Sequence, residues 1–426
     1  MNSREIILKA IYEIEENGGY FNRVLTDSLS KAEPCDKGFV TEVIYGIMGN
    51  RLALDHIIMQ FSSVKLKKMT PWVKNILRLG IYQMYYMDKI PHSAACNESV
   101  KLSKKYAHAA SGRFINGVLR NVSRNLDAIA FPQKSNPSKY LSTKYSFPLW
   151  LTEKLLSQYG FDKTESFMAE SNNPHPVNIR VNRLKTTPEA LIDILKAEGI
   201  DAETSPIFKD CLTVKGKINI EKSLSYKEGL YSLQNLSSYK AVNTLSPMKG
   251  DFIMDICAAP GGKSCATAEL MENEGEILSF DIHPHKLQLI DNSAKRLGIH
   301  IIDSTVHDGC IELPQYIDKA DKVILDAPCS GIGVIHKKPD IKWTRQESDI
   351  SQLAEIQKKL IETACQYVKP GGVLLYCTCT VLKEENDDIV SAFLASHSDF
   401  SVISCEQILT SENGESGFYI CKMKRN

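Results

Sequence analysis

Apolar residues recur every three or four positions through the first 130 residues, the spacing that puts one face of a helix against a core. Ser3 is placed to cap a segment whose Ile7, Ala10, Ile11 and Ile14 share a face, with Gly18 and Gly19 ending it. Thr70-Pro71 reads as a cap followed by proline in the first turn. The stripe Val73, Ile76, Leu77, Ile81, Met84 and Tyr85 follows, and Pro91 closes it. The next helical stretch carries Lys101, Lys104 and Lys105, then Arg113 and Arg120, which makes the region locally basic. A solvated face explains those charges as well as a nucleic-acid contact does.

Pro132, Asn136 and Pro137 mark residues 131–143 as a linker. A helix is expected from Leu149 to about Ser171, broken by Asn173-Pro174-His175-Pro176. Strand-like 177–181 and helical 188–196 then outline a small mixed region. From Asp251 onward the period changes. Strand candidates 252–256, 277–281, 304–307, 323–326 and 373–379 alternate with helices, notably 284–297 and 352–368. Such alternation predicts a mostly parallel, doubly wound α/β sheet with its site at the carboxyl ends of the strands. Four regions result: a helical domain 1–130, the linker 131–143, a helix plus small α+β subdomain 144–235, and a Rossmann-like domain 236–426.

Composition changes this picture little. The chain is 43% hydrophobic and 24% charged, a globular profile, and its 51 basic residues balance 51 acidic ones. Any nucleic-acid site must therefore be a local basic surface. The start Met1-Asn2-Ser3-Arg4-Glu5 lacks the apolar core of a signal peptide, and no apolar run reaches the roughly 20 residues that span a bilayer. Twelve cysteines without a secretion signal are expected to be free thiols in a reducing cytoplasm. Without paired C-x-x-C units, no metal is expected.

Two groups of residues carry chemistry. Asp255-Ile256-Cys257-Ala258-Ala259-Pro260-Gly261-Gly262-Lys263-Ser264 follows the first strand of the alternating region and enters a helix, where small residues let backbone approach a ligand. Asp281 ends the next strand, where an acid commonly takes ribose hydroxyls. Asp308, after the third strand, suits the adenine end of a nucleoside, although an Asp-Gly pair is also an ordinary turn. Neither the dinucleotide fingerprint nor a phosphate-binding P-loop is present, which disfavours a dehydrogenase or a nucleoside triphosphatase.

The second group is Asp326-Ala327-Pro328-Cys329-Ser330-Gly331-Ile332-Gly333 after the fourth strand, with Tyr376-Cys377-Thr378-Cys379-Thr380 closing the fifth. Neighbouring parallel strands would bring Cys329 and Cys379 to one crevice. Cysteine is the most nucleophilic side chain near neutral pH, hence suited to attack carbon 6 of a pyrimidine. Cys211, Cys265, Cys365 and the deeper Cys377 read as core.

With Asn178-Ile179-Arg180-Val181-Asn182 and Glu385-Asn386, these motifs resemble the RsmB/NSUN family of RNA 5-methylcytosine methyltransferases. The helical start looks like a NusB-type domain, and Val334 to Trp343 looks like the RsmB branch, so the resemblance covers the full length. It implies a Rossmann-like S-adenosylmethionine-dependent methyltransferase domain, preceded by an all-α NusB-like domain and a small RRM-like α+β subdomain. The implied reaction is methylation of carbon 5 of a 16S rRNA cytosine, at position 967. Cys379 would attack carbon 6, Cys329 would assist proton removal and release, and Asp326 would hold the base. The implied S-adenosylmethionine site comprises Cys257, Ala258, Ala259, Pro260, Gly261, Gly262, Lys263, Asp281, Asp308 and Asp326.

Two departures stand out. Thr380 replaces a usual Ser, and Gln234-Asn235-Leu236-Ser237-Ser238 is a loose version of a family stretch. Alternatives remain open: Cys329 as nucleophile, as in DNA cytosine methyltransferases; another rRNA or a tRNA cytosine; or a non-catalytic RNA-binding assembly factor. Reaching ring carbons requires an unstacked base, which favours an RNA loop over a duplex. Arg180, Arg183, Lys337, Lys338, Lys342 and Arg345 are candidate RNA contacts, and Trp343 either stacks on a base or is buried. RNA is the expected partner, with neither DNA nor membrane, and the chain is expected to be a monomer.

Overall fold

The computed structural model describes every residue except Met1, Lys217, Glu221 and 410–413. Its contacts divide it into two units, Met1–Asn173 with Ile335–Thr344, and Pro174–Val334 with Arg345–Asn426.

The first unit is helical. Helices Ser3–Glu16, Lys37–Gly49, Pro71–Tyr85 and Ala109–Arg124 contribute to one aliphatic core. Val73, Ile76, Leu77, Ile81 and Met84 are buried in it, as their spacing predicts. Thr70 caps the Pro71–Tyr85 helix, its Oγ1 accepting from Val73 N at 3.4 Å. At the amino end the cap is Asn2, whose Oδ1 accepts from Glu5 N at 2.9 Å, while the Ser3 hydroxyl donates to Asp36. The expected linker is only partly irregular. Asn136 caps a helix at Pro137–Tyr145, which packs on the long segment Leu149–Glu170, itself interrupted at Gly160 where φ is 73°. Arg78, 3% exposed, forms ion pairs with Glu15 and Asp55, so that its buried charge is matched on two sides.

Residues Ile335–Thr344 join this helical unit although they sit inside the α/β part of the sequence. That corrects the reading of Lys342 as an RNA contact. Its side chain is 1% exposed, and Nζ donates to Gly49 O at 3.0 Å, Tyr145 O at 3.2 Å and Asn172 Oδ1 at 2.5 Å. Gly49 and Tyr145 end their helices, so the amine satisfies carbonyls that no helical N–H can reach. Trp343 is half-buried here. Its indole N–H donates to Met48 O at 2.8 Å and the Arg51 guanidinium lies 4.0 Å from its ring, which makes it packing rather than an open stacking platform.

The second unit holds two sheets. The smaller is antiparallel, in the order β2-β3-β1-β4, with β1 Val177–Val181, β2 Asp201–Thr204, β3 Cys211–Lys215 and β4 Tyr231–Leu233. Helix Pro188–Ala197 covers it through Leu191 and Leu195. Arg180 of β1, also read as an RNA contact, is 1% exposed and forked onto Glu269, with Nε–Oε2 at 2.9 Å and Nη2–Oε1 at 2.8 Å. Glu269 belongs to helix Gly262–Leu270, so this ion pair fastens the small sheet to the large one. Asn182 does the same, donating to Leu297 O at 2.8 Å.

The larger sheet runs β10-β11-β9-β8-β5-β6-β7. Strands β5 (Phe252–Asp255), β6 (Glu276–Asp281), β7 (Ile302–Val306), β8 (Ala320–Asp326) and β9 (Val368–Thr378) pair in parallel, as the alternation predicts. The central strands are buried, with helices Pro284–Leu297 and Glu347–Tyr367 among those covering the sheet. An antiparallel hairpin of β10 (Phe400–Ile408) and β11 (Phe418–Arg425) extends it beyond β9.

Candidate active site

A cavity of about 580 Å³ opens at the carboxyl ends of β5, β6, β7, β8 and β9. Strand order reverses between β5 and its neighbours β6 and β8, the crevice where doubly wound sheets hold ligands. Cys257, Ala259 and Lys263 line it from the loop after β5, Asp281 from β6, Asp308 from the turn after β7, and Asp326, Pro328 and Cys329 from β8 and its loop. Cys379 completes the wall from β9.

The loop after β5 turns sharply into its helix. Gly261 has φ 94°, and a Cβ there would press on Ile290, so glycine is required for both conformation and space. Ala258 N donates to Phe280 O at 2.8 Å and Gly261 N to Ala258 O at 2.7 Å, which curl the backbone beside the cavity. Beneath it Asp255 is 1% exposed. Burial raises its carboxyl to about 7, although Ser264 Oγ donates to Oδ2 at 2.7 Å. Its Oδ1 has no hydrogen-bond partner among the described residues.

Lys263 pairs with Asp326, and the Lys263 ammonium also lies 5.2 Å from the Phe418 ring centroid. Burial works against the Lys263 charge, but Asp326 and its neighbours outweigh it and raise the amine above its usual range. Asp326 is one third exposed and faces the cavity while paired with the Lys263 ammonium. Asp281 is nearly buried and accepts from His283 N at 2.9 Å, and Asp308 Oδ1 accepts from Cys310 N at 3.0 Å. The size and donor set fit a nucleoside-bearing cofactor, and Asp281 lines the cavity at the end of the second strand.

The two expected thiols do meet. Cys329 Sγ lies 3.2 Å from Cys379 Sγ. Its contact with Cys379, then burial, and then the charges of Glu385 and Asp326 push the Cys329 thiol well above its ordinary range. Cys377 points to Asp326 Oδ1 at 3.6 Å and is fully buried, as expected of core. Cys211, Cys265 and Cys365 are likewise buried.

Of the remaining RNA candidates, Arg183, Lys337 and Lys338 are exposed. Arg345 is half-buried and its Nε donates to Ser330 O at 3.1 Å, which commits it to the Cys329 loop rather than to solvent. Phe418, from the antiparallel hairpin, lines the cavity with no motif to mark it, whereas Ser238 of the helix Leu236–Leu245 belongs to the loosely matching family stretch. Asn235 lines the cavity while capping that helix through Ser237 N.

Comparison with known proteins agrees with this geometry. A family model described as 16S rRNA methyltransferase RsmB/F matches residues 242–423, a NusB family model matches 1–124, and an RsmF/B-like ferredoxin-like domain model matches 147–221. The chain is similar to a probable ribosomal RNA small subunit methyltransferase B of Bacillus subtilis (strain 168), at 36% identity over 99% of this chain and 98% of the relative. It is 31% identical to a ribosomal RNA small subunit methyltransferase B of Photorhabdus laumondii, covering 100% and 99% of the two chains. One crystal structure aligns over 100% of this chain and 99% of its own with a TM-score of 0.79 and 28% identity. A methyltransferase homologue from Pyrococcus horikoshii aligns over 66% and 96% with a TM-score of 0.56 and 26% identity. The small subdomain is thus ferredoxin-like, and the chain belongs to the RsmB/F family of 16S rRNA methyltransferases.

Proposed function

We propose that this protein methylates carbon 5 of a cytosine in 16S rRNA, through a transient bond between Cys379 and carbon 6 of the base. The observation that carries this reading is the pair of sulfurs 3.2 Å apart at two adjacent strand ends, on the wall of the cofactor-sized cavity. An ordinary thiol is only a few per cent ionised at pH 7, so a nucleophile needs help. The raised Cys329 thiol keeps its proton and donates it toward Cys379, where it stabilises a thiolate. That favours Cys379 over Cys329 as the attacking group.

S-adenosylmethionine, when bound, supplies an electrophilic methyl group. Cys257 to Lys263, Asp281 and Asp308 would hold it by backbone approach, ribose contact and adenine-end contact. Asp326, paired with Lys263, is placed to hold the cytosine ring. Addition of the Cys379 thiolate to carbon 6 makes carbon 5 electron-rich enough to take the methyl group. Once the Cys379 sulfur is bonded to carbon 6 it no longer holds the Cys329 proton, so Cys329 releases that proton to solvent and its thiolate removes the proton from carbon 5. The carbon 6–sulfur bond breaks, the ring double bond returns, and Cys379 leaves as thiolate.

The target base must leave its stack, at a cost of a few kcal/mol unless it is already unpaired. The names of the full-length relatives support small-subunit rRNA, and the family resemblance points to cytosine 967. The test is transfer from labelled S-adenosylmethionine to unmodified 16S rRNA, with tRNA alongside and the product mapped by fragment mass spectrometry. A single 5-methylcytosine in the rRNA is the expected result. Label confined to tRNA would overturn the target, and label on another atom would overturn the chemistry.

A further inference from the structure

Below the two cysteines lies a carboxylate that the reaction above does not use. Glu385 is fully buried. It accepts from Ser330 N at 2.8 Å, from Ser330 Oγ at 2.5 Å and from Gln357 Nε2 at 3.1 Å. Gln357 Nε2 also donates to Pro328 O at 2.9 Å, so the residues on both sides of Cys329 are tied to this one group. Ser330 Oγ lies 2.9 Å from Thr380 Oγ1. Because the Ser330 proton goes to Glu385, Thr380 is the donor to Ser330, and the chain of hydrogen bonds runs from the residue after Cys379 to the residue after Cys329 and ends on Glu385.

We infer that Glu385 is a positioning residue: it clamps the Cys329 loop to the Cys379 strand and sets a fixed negative charge behind Cys329, so that the proton resides on Cys329 and the negative charge on Cys379. This deepens the two-thiol reading and rests on it. A carboxylate taken wholly out of water is costly unless its oxygens are satisfied, and here two donors come from Ser330 in the Cys329 loop and one from Gln357, which also holds Pro328 O. The next residue extends the clamp. Asn386 accepts from Thr378 Oγ1 at 2.5 Å and donates to Thr380 O at 3.1 Å, which fixes the backbone on both sides of Cys379. The groups acting on the Cys329 thiol are Cys379 across the gap, Glu385 below, and Asp326 from its own loop, with Tyr376 on the neighbouring strand also coupled to it. Among these, Glu385 is the charge that touches neither sulfur; it binds Ser330 beside Cys329 directly and reaches Thr380 beside Cys379 through the Ser330 hydroxyl. The hydroxyl at Thr380 is what the clamp requires, which explains why Thr in place of the family's Ser leaves the arrangement intact.

The test uses the full chain and reads the thiol itself. In a Cys379→Ser background, the alkylation rate of Cys329 by iodoacetamide is followed against pH by peptide mass spectrometry, with and without Glu385→Gln. Removing the charge should move the Cys329 profile to lower pH by about half a unit or more. In the otherwise native chain, Glu385→Gln should lower kcat for methyl transfer by about tenfold or more, with S-adenosylmethionine affinity and KM for RNA within about twofold. Glu385→Asp, which keeps the charge, should recover part of the rate and all of the alkylation profile. An unmoved alkylation profile in Glu385→Gln overturns the inference, as does a loss of cofactor affinity parallel to the loss of rate in both variants. Because alkylation needs no turnover, absence of cytosine methylation in the native chain would count against the proposed reaction and not against the clamp.

Discussion

Gly333 and Gly417 meet backbone to backbone: Gly417 N donates to Gly333 O at 2.9 Å, and Gly333 N donates to Cys379 O at 3.0 Å. The Pro-Cys loop, the second cysteine strand and the C-terminal hairpin are thereby stitched together at one point. A Cβ built on Gly333 runs into the Gly417 carbonyl, which is backbone and cannot swing away. Gly333→Ala should therefore destabilise the protein by about 1–3 kcal/mol, the usual range for overpacking. Urea unfolding measures it, and methyl transfer should fall further than stability does, because the strain is released into the loop that carries Cys329.

The two cysteines should separate cleanly by product. Cys379→Ala removes the attacking thiolate and should abolish both methyl transfer and any RNA adduct. Cys329→Ala leaves addition possible but slows proton removal, so a covalent RNA–protein species should accumulate on a denaturing gel. Accumulation in Cys379→Ala instead would reassign the nucleophile to Cys329.

How much of this could be read beforehand depends on where the partners lie. The loop from Asp255 to Ser264, Asp281, and the two cysteine motifs are contiguous stretches at strand ends, so alternation of strand and helix was enough to bring them together. Arg180 and Lys342 carry the same charge as a surface residue, and their burial is decided by Glu269, 89 positions away, and by acceptors at Gly49, Tyr145 and Asn172. No local pattern encodes that. Strand β10 shows why the hairpin escaped notice: from Ser401 to Glu406 every residue is exposed, so the period of two that marks a half-buried strand never appears. Phe418 reached the cavity on its partner strand unannounced.

Lys342 supports a test within the helical unit. Lys342→Met keeps the apolar stem but leaves Gly49 O and Asn172 Oδ1 without the Lys342 donor, while Tyr145 O keeps its bond from Asn172 Nδ2 at 2.8 Å. Unsatisfied buried acceptors cost about 1–3 kcal/mol, and the relief of burying one amine offsets only part of that. Thermal unfolding should drop by several degrees. RNA affinity measured across salt concentrations should keep its slope, because a buried amine neutralises no phosphate, whereas Lys338→Ala should reduce the slope if that exposed residue contacts RNA.

Asp255 sets a pH dependence whose sign follows from its burial. In the folded protein its carboxyl is raised to about 7, whereas an unfolded aspartate ionises near about 3.9. Below about pH 4 both states hold the proton, and the stabilising contribution of the neutral group is complete. Between about pH 4 and 7 the unfolded chain has released its proton while the folded chain retains it, so stability from this group falls as pH rises. Above about 7 that contribution has been lost. Asp255→Asn mimics the neutral form and still offers an oxygen to Ser264. Urea unfolding at a series of pH values should show a shallower fall from pH 4 to 7 in Asp255→Asn than in the native chain, with the two curves crossing so that the variant is the more stable at pH 8. An identical slope in both would mean that Asp255 is ionised in the folded state, and that the Ser264 hydroxyl and the Lys263 ammonium hold its charge despite burial.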